Sequence, residues 1–281
     1  MPRVACVQMD VKFGDIDTNV SRVTGALHQL ASDNVQIAVF PECCIAGYCI
    51  DSDEQKTLIG IQRDSAELLA IQSTVDSTGV TAIFGFSEHC NGKYYNTAAL
   101  FQQNEKPQYY RKTHLPELGY DKFVAPGQEL PIFETKHGRL AILICFDIRF
   151  PEPARVMALK GADAVFLPTN WPNGADVSAD FIAIARAAEN KIYVVTCNRV
   201  GTERGFGFIG KSKIISPMGV VLASAGNGEE IIVADLNFDE SRNKRIATIP
   251  GRYETTVFES RRPELYGPIL CQTEQNEGKT Q

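Results

Sequence analysis

Apolar residues in this chain cluster in short unbroken runs, set between helical patterns and turn residues. Leu140-Ala141-Ile142-Leu143-Ile144 is such a run, short enough for a fully buried strand. It stops at Cys145, and Pro151-Glu152 follows six residues later. Proline at a first helical position with an acid behind it starts a helix. That helix is predicted through Ala154, Met157 and Ala158 to Lys160, with Gly161 as its stop. Cys145 is therefore expected at the end of a buried strand, on the turn into a helix, where a side chain is held rigidly yet faces a cleft.

Other segments repeat the rhythm. Residues 3–9 predict a strand, and 17–31 a helix with Val20, Val23, Leu27 and Leu30 on one face, capped by Asp15 or Asp17. Residues 37–40 predict a second buried strand running straight into Pro41-Glu42. Residues 58–78 read as mostly helical, broken near Asp64-Ser65 and ended by Gly79. Strands 80–87 and 94–102 pair as a hairpin across a turn at 89–93. An extended segment, 108–114, brings Lys112 near its end, and 115–127 is a loop long enough to fold over a cleft.

Strands 131–135 and 138–145 precede the Cys145 turn, and 164–168 ends at Asn170-Trp171. Trp171, the single tryptophan, is either a pocket wall or a packing plug for that loop. Residues 176–190 predict a helix with Phe181, Ile184, Ala185 and Ala188 on one face, followed by a strand at 192–198. A Gly-rich loop at 199–210 lacks the strand-to-helix context of a nucleotide site. Late strands are expected at 211–215, 220–223 and 231–235. Two rounds of strand, helix, strand, around 3–40 and 140–167, make this one α/β domain with a duplicated architecture.

Composition narrows the function. With 44% hydrophobic and 22% charged residues among 281, the chain is an ordinary globular one. A net charge of −6 argues against nucleic acid as a partner, and no basic run suggests a membrane patch. The first residues predict a strand rather than a signal peptide, and no run reaches the roughly 20 apolar residues that span a bilayer. None of the eight cysteines forms a CxxC pair or a zinc-finger spacing, which weighs against a metal site; without an export signal, reduced cytoplasmic thiols are expected, and no cofactor is.

Three polar residues now stand at the ends of extended segments: Glu42, Lys112 and Cys145. A thiol nucleophile needs a base for its proton and a cation or N–H group for the developing oxyanion. Of the four histidines, only His114 competes for the base role. Phe40-Pro41-Glu42 with Gly47-Tyr48, Arg111-Lys112-Thr113-His114-Leu115-Pro116 leading to Pro126-Gly127, and Cys145-Phe146-Asp147-Ile148-Arg149-Phe150-Pro151-Glu152 stand in that order. Together they resemble the glutamate, lysine and cysteine motifs of the nitrilase superfamily of carbon–nitrogen hydrolases, over about residues 3–240. Gly161-Ala162-Asp163, Arg186-Ala187-Ala188-Glu189-Asn190, Gly210-Lys211-Ser212 and Ser216-Pro217 add to the resemblance.

The resemblance implies a four-layer αββα sandwich, Cys145 as nucleophile, Glu42 as general base, and Lys112 with the Phe146 N–H as the oxyanion site. Asn170 and Trp171 join as candidate substrate-positioning residues. A second glutamate that many members carry has no clear match here; Asp121 and Glu117 both stand near its place, Asp121 favoured by its neighbours Lys122-Phe123. The implied activity is hydrolysis of small linear amides. N-carbamoyl-amine hydrolysis is the near alternative, nitrile hydrolysis or acyl transfer are more remote, and a catalytically silent binding protein is a different class. The expected organisation is a hydrolase domain at 1–240, an Arg- and aromatic-rich extension at 241–268 without regular period that contacts a second copy in a homodimer, and a disordered tail at 269–281.

Overall fold

The computed structural model describes residues 1–271. The chain separates into a unit of Met1–Arg242 and a second beginning at Asn243. In the first unit the elements run β1 (Arg3–Gln8), α1 (Ile16–Ser32), β2 (Ile37–Val39), α2 (Lys56–Ile59), α3 (Ala66–Thr78), β3 (Thr81–Cys90), β4 (Lys93–Phe101) and β5 (Gln108–Arg111). Then come β6 (Phe133–Thr135), β7 (Gly138–Ile142), α4 (Pro151–Leu159), β8 (Ala164–Thr169), α5 (Ala183–Asn190) and β9 (Tyr193–Asn198). Short strands β10 (Thr202–Glu203) and β11 (Phe206–Gly207) precede β12 (Lys213–Ile215), β13 (Val221–Ser224), β14 (Glu230–Asp235) and α6 (Phe238–Arg242).

Two six-stranded sheets result, ordered β14-β1-β2-β3-β4-β5 and β13-β12-β9-β8-β7-β6. In each, three successive parallel strands (β1, β2, β3 and β7, β8, β9) lie at the centre, joined through helices, with antiparallel strands outside. The duplication expected from the first two strands of each half therefore extends to a third. Burial on both faces explains why these strands read as continuous apolar runs. On one face Ala5, Val7, Ala38, Phe40, Ala82 and Phe84 pack with Val23 and Leu27 of α1 and Leu68 and Ile71 of α3. The alternate residues Val4, Cys6, Ile37, Val39 and Ile83 are equally buried, toward the other sheet. Cys197 of β9 marks that contact, its Sγ donating to Val39 O at 3.1 Å and approaching Val7 O at 3.4 Å. Two sheets face to face with helices outside make the αββα sandwich.

Local signals explain most boundaries. Asp15 caps α1 by accepting from the Thr18 N–H, and Ser65 caps α3 in the same way before Gly79 ends it in a left-handed turn. The β3–β4 hairpin is longer than expected: His89 and Cys90 pair with Tyr94 and Lys93, leaving only Asn91-Gly92 as the turn.

The helix before β9 departs from expectation. A π-helical turn, Ser178–Ile182, leads into α5, and the face with Phe181, Ile184, Ala185 and Ala188 is not the buried one. Phe181 is 69% exposed, whereas Ala179, Ala183, Arg186, Ala187 and Asn190 are buried. Small side chains let the helix lie close to its neighbours, and Arg186 is drawn inward by the Ile148 and Arg149 carbonyls at 3.1 and 3.3 Å. The buried face thus combines small apolar side chains with a polar residue that finds its partners inside.

The second unit is also more regular than its sequence. Arg245–Ile249 (β15) pairs antiparallel with Tyr253–Thr256 (β16) across a turn at Gly251, and 3-10 turns follow at Pro263–Leu265 and Gly267–Leu270. The expected disordered tail thus begins, at 269–271, with turn structure; its remainder, 272–281, lies outside the described residues.

Candidate active site

The β7 strand stops at Ile142, earlier than the apolar run suggests, because Leu143 and Ile144 lead into a 3-10 turn, Cys145–Arg149. Cys145 opens that turn at φ +44°, a left-handed conformation rare for a side chain with a Cβ. Strain of this kind survives only where surrounding bonds over-determine it, and it concentrates at functional sites. Asp147 supplies the bonds. Its carboxylate accepts from the Ile144 N–H at 2.9 Å, the Tyr110 hydroxyl at 2.8 Å, the Thr113 hydroxyl at 3.0 Å and the His114 N–H at 2.9 Å. One buried acid thereby ties the Cys145 turn to the segment just past Lys112.

His114 is occupied by the same acid. Its Nδ1 lies 2.8 Å from Asp147 Oδ1, and its ring stacks on Phe150 at 4.1 Å. His114→Ala is expected to lower kcat only slightly in a steady-state assay. A loss of about 10²- to 10⁴-fold, the usual cost of removing a general base, would move that role to His114.

Glu42 lies in the turn beyond β2 and is fully buried. Gly85 of β3 admits it: a Cβ there would stand 2.5 Å from Glu42 Cα and Cys43 N. Glu42 Oε1 accepts from Lys112 Nζ at 2.8 Å and from Asn96 Nδ2 at 2.6 Å. Its second oxygen, Oε2, is buried with no hydrogen-bond partner among the described residues.

Lys112 follows β5 directly, its backbone pinned by Asn96 O at 2.8 Å and by the Gly127 N–H at 2.7 Å. Its ammonium bridges Glu42 and Asp121 Oδ2. Asp121 comes from a 3-10 turn, Gly119–Phe123, within the expected loop. It is buried, accepts from Asn96 Nδ2 at 2.7 Å, and lies 2.8 Å from the Tyr48 hydroxyl. Of the two acids left open by the sequence, the structure brings Asp121 into this network, while Glu117 stays exposed at a cavity rim.

Electrostatics sort the protons. Burial pushes the Cys145 thiol above the usual thiol range and the Glu42 carboxylate pushes it further, against the pull of Lys112, the Thr169 hydroxyl and the Asn170 N–H. Burial likewise raises Glu42; Lys112 pulls it down, and Asp121 pushes it up. Lys112 is buried too, which alone would strip its proton, but Asp121 and Glu42 outweigh that and hold it protonated far above the ordinary range. These influences favour the neutral thiol and the protonated ammonium, and they leave Glu42 with one oxygen outside the hydrogen bonds.

A cavity of about 240 Å³ is walled by Tyr48, Ile50, Leu118, Phe123, Asn170 and Phe208; Tyr48, through its bond to Asp121, connects it to this set, whose Cys145, Glu42 and Lys112 are not among its walls. Asn170 is buried, with neither side-chain amide atom bonded among the described residues. Trp171 does not line the cavity. It is 3% exposed, and its backbone N–H donates to Asn198 Oδ1 at 2.8 Å. Phe146, next after Cys145, is half-buried and set edge-on to Phe150 at 5.3 Å. Among the described residues no group of three His, Cys, Asp or Glu side chains is placed to hold a metal ion.

Nothing in the apolar spacing singles out Asn96, which bonds both acids. Its only mark is being an Asn inside a strand, where that residue is depleted. Tyr48 and Asp147 lie inside the resembling motifs, yet their roles depend on partners far away in sequence.

The family profile described as carbon-nitrogen hydrolase matches residues 3–246. A probable nitrilase of Schizosaccharomyces pombe is 33% identical, covering 95% of this chain and 98% of its own. The 2-oxoglutaramate amidase of Bacillus subtilis is 31% identical, with coverage of 94% and 98%. Among solved structures, an amidase from Nesterenkonia sp. superposes with a TM-score of 0.79 at 24% identity, covering 96% of each chain. The profile spans the sandwich and all three motif turns, and the relatives match from end to end: the chain belongs to the carbon-nitrogen hydrolase family.

Proposed function

We propose that the protein hydrolyses small linear amides through a thioester on Cys145. Cys145 Sγ attacks the amide carbon while its proton passes to Glu42 Oε2, and the carbonyl π pair moves onto oxygen. Lys112 Nζ and the Phe146 N–H hold that oxyanion. As the carbonyl re-forms, the C–N bond breaks and Glu42 returns its proton to the leaving nitrogen, releasing ammonia or an amine. Water then attacks the thioester and gives its proton to Glu42. As the carbonyl re-forms the C–S bond breaks, Glu42 passes that proton to the departing sulfur, and the acid leaves with the thiol and the Glu42 carboxylate restored. Asp121 keeps Lys112 charged and placed, and Asn170 and the cavity position the acyl chain.

The observation that carries this reading is the division of labour on Glu42. One oxygen is bound by Lys112 and Asn96, and the other is buried and free for a proton. Ammonia release over a panel of primary amides, N-carbamoyl amines and nitriles tests it. Turnover confined to nitriles, or absent on the whole panel, would reject it.

Residues 1–240 serve as the hydrolase domain, 241–268 as the partner contact of a homodimer, and the cytoplasm as the working compartment. Eight free thiols suit a reducing environment. Among the described residues no helix is long and apolar enough to cross a membrane. The second unit leaves Tyr253, Leu265, Ile269 and Leu270 exposed, apolar groups suited to an interface. Ending the chain after Arg242, where the first unit closes, is expected to turn a dimer into a monomer by light scattering. A truncated protein that stays dimeric would remove this segment from the interface.

A further inference from the structure

A buried ion pair stands outside the Cys145, Glu42 and Lys112 set, behind the cavity wall. Glu203 of β10 and Arg199, one residue past β9, are both buried, and Arg199 Nη1 donates to Glu203 Oε2. The other arm of Arg199 reaches Val11 O at 2.7 Å, and its guanidinium lies over the Phe208 ring at 4.2 Å. Glu203 Oε1 faces the opposite way. It accepts two successive backbone N–H groups, those of Tyr48, at 2.8 Å, and Cys49. Gly47 permits the convergence: its φ is +97°, and a Cβ there would stand 2.8 Å from the Phe13 ring and 3.0 Å from Glu203 Oε2.

Stability alone is a poor reason for this arrangement, since apolar residues in place of a buried ion pair are often neutral or stabilising. What the charge adds is a fixed direction for two N–H groups, and Tyr48 is the side chain they carry. The Tyr48 hydroxyl lies 2.8 Å from Asp121 Oδ2, the same oxygen that receives Lys112 Nζ. Gly119 gives the ring room to pass, because a Cβ there would stand 2.5 Å from it. Tyr48 thus joins Glu203, bound at its backbone N–H, to Asp121 and the ammonium, met by its hydroxyl, which also lies 2.8 Å from Leu118 O.

We propose that Glu203 is a positioning residue for the hydrolysis: it aims Tyr48 at Asp121 and thereby keeps Lys112 Nζ beside Cys145. This rests on the amide-hydrolase reading above. Lys112 acts on charge that appears only in the transition state, and a displacement of about an ångström can cost about 100-fold in rate.

Glu203→Gln, Tyr48→Phe and the double variant test the proposal by two readouts. Steady-state ammonia release should show kcat lowered by about 10- to 100-fold with KM little changed, the mark of an interaction made in the transition state. Alkylation of Cys145 by iodoacetamide needs no substrate and so stands whether or not the amide reading holds. Its pH midpoint should move upward in both single variants, because a displaced Lys112 no longer favours the thiolate. The double variant should be no worse than the more impaired single one, because both act through one path. A Glu203→Gln protein with a lower melting temperature but unchanged kcat and alkylation midpoint would overturn the proposal, as would losses that multiply in the double variant. If Glu203→Gln does not fold, Tyr48→Phe decides alone, and a normal kcat and midpoint there would also overturn it. A wild type that alkylates at Cys145 yet releases no ammonia would reject the amide reading instead.

Discussion

Cys145→Ala is expected to abolish amide turnover, a loss of about 10⁴-fold or more, while leaving a folded protein. The expectation follows from what the thiol does and does not hold in place. The turn carrying it is fixed by Asp147 through Ile144, Tyr110, Thr113 and His114, and none of those bonds involves sulfur. Alanine at φ +44° bears the same backbone strain as cysteine, so the substitution adds none. It also removes a buried group whose ionisation both burial and Glu42 oppose. What remains is an ammonium and a carboxylate around an empty position, able to polarise an amide but with no nucleophile. Cys145→Ser should fail as well, because a hydroxyl in the same field is a far weaker acid than the thiol. Circular dichroism and thermal melts should match wild type, with iodoacetamide labelling of this site lost. Substantial amidase activity in Cys145→Ala would sink the whole mechanism.

How much of this was legible in the sequence follows from where each interaction lies along the chain. Strand–turn–helix signals are local, so Cys145 was placed from Ile144, Pro151 and Gly161 alone, to within the few residues by which β7 stops short. Glu42 stands out by the same logic, an acid at the mouth of an apolar run. Lys112 does not: a lysine near a strand end is usually solvated, and only Asp121 and Glu42, brought from other turns, make it a buried cation. The outward face of α5 differs from its apolar spacing because apolarity predicts burial only when no polar residue has a better partner inside, and Arg186 has two carbonyls. The β15–β16 hairpin escaped notice because its strands, exposed along much of their length, carry no alternation of apolar and polar residues. The position of Trp171 on a strand-exit loop does not distinguish a wall from a plug, and its backbone partner Asn198 comes from another strand that no local pattern points to.

Glu42→Gln should lower kcat by about 10²- to 10⁴-fold, whereas Glu117→Gln should leave it nearly unchanged. Glutamine fills the same space, and its oxygen can still accept from Lys112 and Asn96, as Glu42 Oε1 does now. The free oxygen becomes an NH₂ group that can take no proton from Cys145 or from water. Glu117 is exposed at the cavity rim, outside the hydrogen-bonded set. The pH dependence carries the sign of the same assignment. Burial raises Glu42, so its carboxylate forms only above the ordinary glutamate range, and wild-type kcat/KM should rise with pH through that raised midpoint. In Glu42→Gln this limb should vanish. Cys145 should respond in the opposite sense: the Glu42 charge pushes the thiol up, so its removal leaves Lys112 less opposed and moves alkylation to lower pH. An enzyme that turns over less while its cysteine ionises more readily is the signature of a lost base rather than a damaged nucleophile. A Glu117→Gln loss as large as that of Glu42→Gln would transfer the second-carboxylate role from Asp121 to Glu117. A Glu42→Gln enzyme with wild-type kcat would end the base assignment.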